Sequence, residues 1–333
     1  MKNYVNISKW LLFISLIKLS PSAGAIDSYK EFKEGLLELQ YRGQYISTDS
    51  NFNTQGSIVS LGSGKYFKII DSEVAARLGF AEQWSAEMGF HIPSVESNDG
   101  VAKRSNSTLS EMSVGLETIV LTKYVDFIPE FQAVFPLEPF SLSQTTAVNG
   151  EGVMQLKLLL NMQKNMGTWS PYGYFGFQHR AEGRGGLLPW LLGVNFGKEN
   201  IFGAEIFGYQ IILEDKDAPD KTARLNLVSN VNAGSYYYTS VNPILVDSKA
   251  YYRAHMSDFW MFQFEMGITP LGWDAAYSYH VGGFIRFNID LWEGSPIAKT
   301  RIKRRIKLNK DDFINSEDKE NVKEFQEDTK DGV

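Results

Sequence analysis

Residues 273–291 alternate between apolar and polar side chains, and this pattern limits the folds that are open to the chain. The odd positions include Tyr277, Val281 and Phe287, while the even positions include His280 and Arg286. A period of two places alternate side chains on opposite faces of a β-strand. Strands of globular sheets usually have about five or six residues, whereas a tilted strand that crosses an outer membrane needs about 9–11 residues within the lipid. The pattern therefore favours a membrane-spanning strand.

The same alternation recurs along the chain, as in WSAEMGFHI (84–92), where Glu87 and His91 oppose Trp84 and Met88. It predicts twelve strands, at 36–48, 65–79, 83–94, 110–121, 125–136, 153–163, 168–180, 187–197, 201–213, 235–253, 258–268 and 273–291. Short connections mostly alternate with long ones at 49–64, 95–109, 137–152 and 214–234, as in bacterial outer-membrane barrels. We therefore predict an all-β fold, a transmembrane antiparallel up-and-down β-barrel of about twelve strands over residues 26–292. A soluble two-sheet protein is the alternative.

The first 25 residues have the features of a secretory signal peptide. Lys2 and Lys9 precede an apolar stretch, and Ala23-Gly24-Ala25 matches a cleavage site after Ala25. Removal of Lys2, Lys9 and Lys18 lowers the net charge from −6 to −9, which argues against a nucleic acid as partner. The chain has no cysteine and therefore no disulfide framework or thiolate metal site. We expect export to the outer membrane, with outer-membrane lipid and lipopolysaccharide as surroundings.

Residues 293–333 form a charged tail after the last predicted strand. The stretch TRIKRRIKLNK is basic, and the following DDFINSEDKENVKEFQEDTKDGV is mainly acidic and poor in apolar residues. We expect this tail to be disordered and periplasmic. The last strand contains a G-x-x-Φ-x-Φ pattern from Gly282 to Phe287. This pattern resembles the signal that the barrel assembly machinery reads, and that machinery is therefore an expected partner.

The polar faces of the predicted strands supply the candidate functional residues. We expect these side chains to line the lumen: Glu87, His91, Glu117, Glu130, Lys157, Arg180, Glu265, His280 and Arg286. Neighbouring strands predict two cross-strand pairs, Glu130 with Lys157 and Glu265 with Arg286. Charges of both signs are compatible either with internal ion pairs that fill the barrel or with a narrow path for a solute.

Three classes of function remain open. A channel requires a lumen whose residues control flux, whereas a structural or surface-interaction protein depends on its loops or tail. A lipid-modifying enzyme requires a serine nucleophile beside a histidine base. His91 and His280 have no adjacent nucleophile motif, and no HExxH, GxSxG or P-loop motif occurs. We therefore expect no catalytic residue, cofactor or metal site, and we favour a channel for an unknown small molecule.

Three stretches are similar to the MetA-pathway phenol-degradation family. Its members are outer-membrane barrels that distantly resemble long-chain fatty-acid transporters. The stretches are RLGFAEQWSAEMGFHIP, FIPEFQAVFPL with NGEGVMQLKLLL, and GYFGFQHRAEGRGGLLPWLLGVNFG, and the resemblance covers about residues 79–213. The resemblance implies passive uptake of small molecules, including apolar or aromatic ones. The chain departs from the family in its long charged tail and in the absence of an obvious N-terminal plug.

Overall fold

The computed structural model describes Lys30 and residues 32–122, 124–197, 200–257 and 259–292. The predicted signal peptide (1–25) and charged tail (293–333) lie outside the described residues. The strands are β1 (Leu36–Phe52), β2 (Ile58–Ser60), β3 (Tyr66–Ala81), β4 (Trp84–His91), β5 (Ser94–Asn98), β6 (Lys103–Ser107), β7 (Glu111–Thr118), β8 (Asp126–Pro136), β9 (Gln155–Gln163), β10 (Trp169–Arg180), β11 (Gly186–Phe196), β12 (Asn200–Leu213), β13 (Ile244–His255), β14 (Trp260–Trp273) and β15 (Ala275–Asp290). Helix α1 spans Thr222–Val231.

Twelve of the strands form a closed ring. Its order is β1–β3–β4–β7–β8–β9–β10–β11–β12–β13–β14–β15, and β15 returns to β1. The three short strands β2, β5 and β6 extend one end of the wall, where β2 pairs with β1 and β5 pairs with β3. The predicted twelve-stranded antiparallel barrel is therefore confirmed. No helix among the described residues is long and apolar enough to cross a membrane.

The alternation of side chains in the barrel wall agrees with the sequence pattern. On the outer face, Met88, Leu158 and Phe264 are exposed, whereas Glu87 and Glu265 on the inner face are buried. Closure of the ring pairs the backbone groups of every strand with a neighbour and leaves no open edge, which a lipid environment requires. The outer face is therefore apolar, and the buried charged residues of the wall face the interior.

The two ends of the barrel differ. At one end, which we call the terminus end, β1 begins, β15 finishes and the connections are short. At the other, the loop end, the chain carries the β5–β6 hairpin, the loop 137–154 and a long segment of residues 214–243 that we call the inserted loop. In outer-membrane barrels, long loops lie on the outer side and short turns on the periplasmic side, and the terminus end of this barrel has the short turns.

The inserted loop is the main departure from the predicted strands. The pattern predicted a strand over 235–253, but β13 begins only at Ile244, one residue after Pro243, and α1 precedes it. Positive φ angles at Ala233, Tyr238 and Asn242 turn the chain repeatedly before the strand begins. The predicted strand over 273–291 is also interrupted, because Asp274 has a φ of 48° and forms the turn between β14 and β15.

Hydrogen bonds hold the inserted loop in the loop end of the lumen. The side chain of Asn51 donates to Gly234 O at 2.7 Å and accepts from Tyr236 N at 3.0 Å. Asn232 Oδ1 accepts from Val148 N at 3.0 Å, and Ser97 Oγ donates to Val231 O. The loop is thus fastened to β1, to β5 and to the loop 137–154.

Candidate functional site

A cavity of about 460 Å³ occupies the middle of the barrel. The side chains of Tyr236, Tyr237 and Tyr238 from the inserted loop bound it at the loop end, and Gln40 and Glu130 lie toward the terminus end. Burial raises the pKa of Tyr237 and that of Tyr238 well above the usual tyrosine value. The phenols of these two residues are therefore neutral at the roof of the cavity.

One wall of the cavity is a network of charges on β1 and β12–β15. Arg42 contacts Glu265, and the Lys249 ammonium lies 2.6 Å from Glu205 and 3.4 Å from Glu265. These charges neutralise one another in an interior where an unpaired ion would be costly.

His280 belongs to the same wall. Its Nδ1 lies 2.7 Å from Gln44 Nε2, and its Nε2 lies 2.9 Å from Asp247 Oδ1. Both ring nitrogens are therefore occupied by polar partners, and the imidazole is held in one orientation at the cavity surface.

Six of the nine predicted lumen residues line the cavity: His91, Glu130, Lys157, Arg180, Glu265 and His280. Arg180 lies near the loop end, where its Nε donates to Gly185 O at 2.7 Å and its Nη1 lies 3.2 Å from Glu151. Lys157 is opposite Gln132 in the β8–β9 ladder. The structure thus brings most of the predicted residues to one chamber.

The other three predicted residues, Glu87, Glu117 and Arg286, are buried at or near the terminus end. There, Arg77 contacts both Glu38 and Glu117, and Arg286 contacts Glu38 and Gln40. Ser85 Oγ also donates to Glu117 at 2.6 Å. These side chains form a polar network on the inner face of the adjoining strands β15, β1, β3, β4 and β7.

The predicted pair of Glu265 with Arg286 is wrong. In the β14–β15 ladder Glu265 is opposite Gly282, whereas Arg286 is opposite Met261. Arg286 therefore reaches across the closing seam to Glu38 and Gln40 of β1, and Glu265 contacts Arg42 and Lys249. The other predicted pair is Glu130 with Lys157. In the structure, the ammonium that lies 2.6 Å from Glu130 is that of Lys30, a residue before β1.

The sequence analysis missed the second wall of the cavity, which is apolar and aromatic. It is formed by β9–β13 through Leu159, Tyr174, Leu187, Pro189, Leu191, Phe207, Tyr209 and Leu245. A signal for it exists in the run GLLPWLLG of β11, where Leu187 and Leu191 point inward while Leu192 is exposed outside. A barrel strand that is apolar on both faces indicates an apolar patch in the lumen.

His91 has an arrangement that the sequence did not predict. Ser110 Oγ lies 3.0 Å from its Nδ1, and Asp71 contacts its Nε2. A serine, an imidazole and a carboxylate in this order form the constellation of an acyl-transfer site. Ser110 is only 1% exposed, its Oγ also lies 3.3 Å from His91 O, and only Asp71 and His91 reach the cavity surface.

A closed ring of long antiparallel strands, apolar outside and charged inside, defines the class of outer-membrane β-barrels. Among solved structures, the chain is similar to an outer membrane channel from Pseudomonas putida F1, with a TM-score of 0.57 and 9% identity over 80% of this chain and 100% of that chain. The NanC porin has a TM-score of 0.44 at 12% identity, covering 75% of this chain and 100% of its own. The KdgM porin has a TM-score of 0.42 at 9% identity, covering 75% and 98%.

The likeness to the Pseudomonas putida channel supports the fold and does not extend to a solute. Neither a family model nor a curated protein sequence matches the chain.

Proposed function

We propose that the protein is a passive outer-membrane channel for small aromatic solutes that carry a positively charged or hydrogen-bonding group. The observation that carries this proposal is the cavity with two unlike walls, one apolar and aromatic and the other charged. A flat ring can pack against Tyr174 and Phe207, while a polar group on the same solute meets the carboxylates opposite. The cavity volume of about 460 Å³ accommodates a molecule of this size.

The charges of the lining favour a cationic group over an anionic one. Among the described residues, the lining has seven carboxylates, Asp71, Glu111, Glu130, Glu151, Glu205, Asp247 and Glu265, and four cationic side chains, Arg42, Lys157, Arg180 and Lys249. Fixed charges of one sign in excess set the ion preference of a pore. The resemblance to the MetA-pathway phenol-degradation family adds support for the aromatic part of the proposal.

Solute flux into proteoliposomes tests the proposal. Benzyltrimethylammonium should enter faster than its cyclohexylmethyl analogue, and benzenesulfonate should enter more slowly than either cation. Phe207→Ala should reduce the preference for the aromatic cation several-fold because it removes a ring from the apolar wall. Ile206→Ala is the matched control, since Ile206 directly precedes Phe207 in β12 and is exposed on the outer face.

The outcomes separate the parts of the proposal. Flux equal to that of protein-free vesicles for every solute would contradict the channel and favour a structural or surface-interaction role. Equal flux of the aromatic cation and its analogue would retain the channel and contradict the aromatic preference.

We also propose an outer-membrane location, with export directed by the signal peptide of residues 1–25, which is removed by cleavage after Ala25. The exposed apolar residues of the outer face, such as Leu158, Phe264 and Met266, support contact with outer-membrane lipid and lipopolysaccharide. Residues 282–287 lie in β15, the strand that closes the ring. This position is compatible with recognition of Gly282 to Phe287 by the barrel assembly machinery.

A lipid-modifying enzyme is the second candidate because Ser110, His91 and Asp71 are in contact. Catalysis requires the serine to reach a substrate, and Ser110 is buried behind the imidazole. We therefore propose that these three residues have a structural role. A fluorophosphonate probe should leave the folded protein unlabelled, and labelling that is lost in Ser110→Ala would favour the enzyme.

A further inference from the structure

Lys30 lies inside the barrel at the terminus end, although it precedes the first strand. Its Nζ contacts Glu117 and lies 2.6 Å from Glu130 Oε2, and its side chain is 2% exposed. Its backbone is clamped by one side chain, because Gln163 Oε1 accepts from Lys30 N and Gln163 Nε2 donates to Lys30 O, both at 2.8 Å. A segment outside the barrel wall is therefore fastened within the lumen.

The neighbouring residues hold the same segment against the wall. Phe32 lies under the Arg77 guanidinium, with 4.7 Å between Arg77 Cζ and the ring centroid. Gly35 N donates to Gly79 O at 2.6 Å at the start of β1. We call Lys30 together with residues 32–35 the N-terminal strap. The sequence analysis found no obvious N-terminal plug, and it did not predict that this short segment lies within the lumen.

The position of the Lys30 ammonium relates the strap to the cavity. Glu130 is one of the cavity-lining carboxylates, and besides Lys30 it accepts a hydrogen bond from Asn161 Nδ2 at 2.9 Å. Glu117 has Arg77 and Ser85 as further partners. Withdrawal of Lys30 would thus leave Glu117 compensated, while Glu130 would keep an amide donor and be without its ammonium partner.

We propose that the N-terminal strap is the gate of the terminus end. A cationic solute that leaves the cavity meets the carboxylate of Glu130, and Lys30 is a cation of the chain itself that is bound to this carboxylate. In the closed state the ammonium neutralises Glu130 and occupies the path. When the strap leaves, Glu130 faces the cavity as a cation-binding group. This inference rests on the proposed channel function and adds its closed state.

Single-channel recording with the purified full chain tests the gate. Lys30→Gln should raise the mean conductance several-fold and shift the reversal potential in a salt gradient toward cation selectivity, because Glu130 loses its tethered partner. The double variant Lys30→Gln/Glu130→Gln should keep the higher conductance and lose the gain in cation selectivity. Lys103→Gln removes the same charge from the exposed β6 and should behave as wild type.

A cross-link provides a second measurement, in which the two compared states of one variant carry the same charges. The chain contains no cysteine, so the variant Lys30→Cys/Gln163→Cys has one reactive pair. A short bifunctional thiol reagent with a cleavable disulfide should join the two residues, abolish the current, and release it again after reduction. Heat-modifiable migration on gels shows that each variant retains the folded barrel.

Two results would overturn the gate. One is a folded Lys30→Gln barrel whose conductance and reversal potential equal those of the wild type, including the case in which both are silent. The other is a cross-linked pair that carries the same current as the reduced one. Neither result depends on the aromatic preference, which the flux of benzyltrimethylammonium and its analogue measures separately.

Discussion

At the scale of single residues, depth in the membrane determines what a charge on the outer face costs. Phe264 is 40% exposed and is the fifth residue of β14, opposite Gly283, whereas Phe287 lies opposite Trp260, the first residue of β14 at the terminus end. Phe264→Arg should cost roughly 2–4 kcal/mol of unfolding free energy, and Phe287→Arg about 0–1 kcal/mol, because the penalty falls toward the interface. Denaturant titration of the barrel in lipid vesicles measures both.

The inward-facing Gln178 is the control for this comparison. It lies in β10 and lines the cavity, so that an arginine at this position enters a polar chamber. Gln178→Arg should therefore cost less than Phe264→Arg. A larger cost for Gln178→Arg, or equal costs for Phe264→Arg and Phe287→Arg, would contradict the assignment of faces or of depth.

The sequence predicts the direction in which a side chain points better than it predicts its partner. The period of two places Glu117, Glu265 and Arg286 inside, and the structure agrees. The partner of Arg286 lies on β1, about 250 residues away in sequence, because the ring closes there. Without the register of that seam, only neighbours along the chain can be proposed, and this is why the pair of Glu265 with Arg286 was wrong.

At the scale of elements, the inserted loop depends on an internal ion pair. Arg224 of α1 lies 2.8 Å from Asp215 and also contacts Asp217, and Arg224 and Asp215 are fully buried. Burial alone would raise the pKa of Asp215, but the hydrogen bonds from Arg224 and from Asp217 N leave this pKa below its usual value. The pair therefore holds the charged carboxylate in place.

Removal of the guanidinium should release this loop. Arg224→Met leaves a buried carboxylate without its ion partner, and we expect a cost of about 3 kcal/mol to the local stability of the loop. Amide exchange of residues 222–231 should accelerate accordingly. Arg104→Met, which breaks the more exposed pair with Asp99 on the β5–β6 hairpin, should change exchange there much less.

The same pair gives a pH dependence with a defined sign. The pKa of Asp215 is lower in the folded state than in the unfolded state. Its contribution to the stability of the inserted loop is therefore fully present above the unfolded pKa of about 3.9, and it is lost as the pH falls through the folded pKa. Protection of residues 222–231, corrected for intrinsic exchange, should persist to about pH 4 in the wild type. Loss of protection between pH 7 and pH 5 would contradict the role of this pair.

The inserted loop also shows why a strand was predicted where the chain turns. The stretch Ser235–Val241 contains three tyrosines and β-branched residues, a composition typical of strands. Its backbone instead finds partners on Asn51 and on neighbours within the loop. These contacts are with segments that the barrel brings near after it has closed, and a local pattern cannot contain them. Pro243 is the local signal that marks the true start of the strand.

At the scale of the whole molecule, the residue types on the outer face of the barrel follow a simple rule, and those on the inner face do not. Lipid imposes one requirement on every outward position, and alternation therefore predicts the ring of twelve strands. The lumen instead contains several kinds of group: charged and aromatic side chains of the wall, the inserted loop and the N-terminal strap. The apolar wall at Leu187 and Leu191 departs from the alternation of the other strands, and the contact of Lys30 with Glu130 does not follow from periodicity.

The closed ring predicts the behaviour of the intact protein in detergent. Each strand of the ring is hydrogen-bonded to two neighbours, so that no strand can detach without breaking two ladders at once. Unboiled samples should therefore migrate as a compact folded species on SDS gels, boiled samples should migrate as the unfolded chain, and far-ultraviolet circular dichroism of the unboiled protein should be predominantly β. Because the outer face exposes Leu192, Phe202 and Phe264, the folded protein should require detergent or lipid to remain in solution. Recovery of a folded monomer from the periplasm without detergent would contradict the membrane barrel, together with the channel and the gate that depend on it.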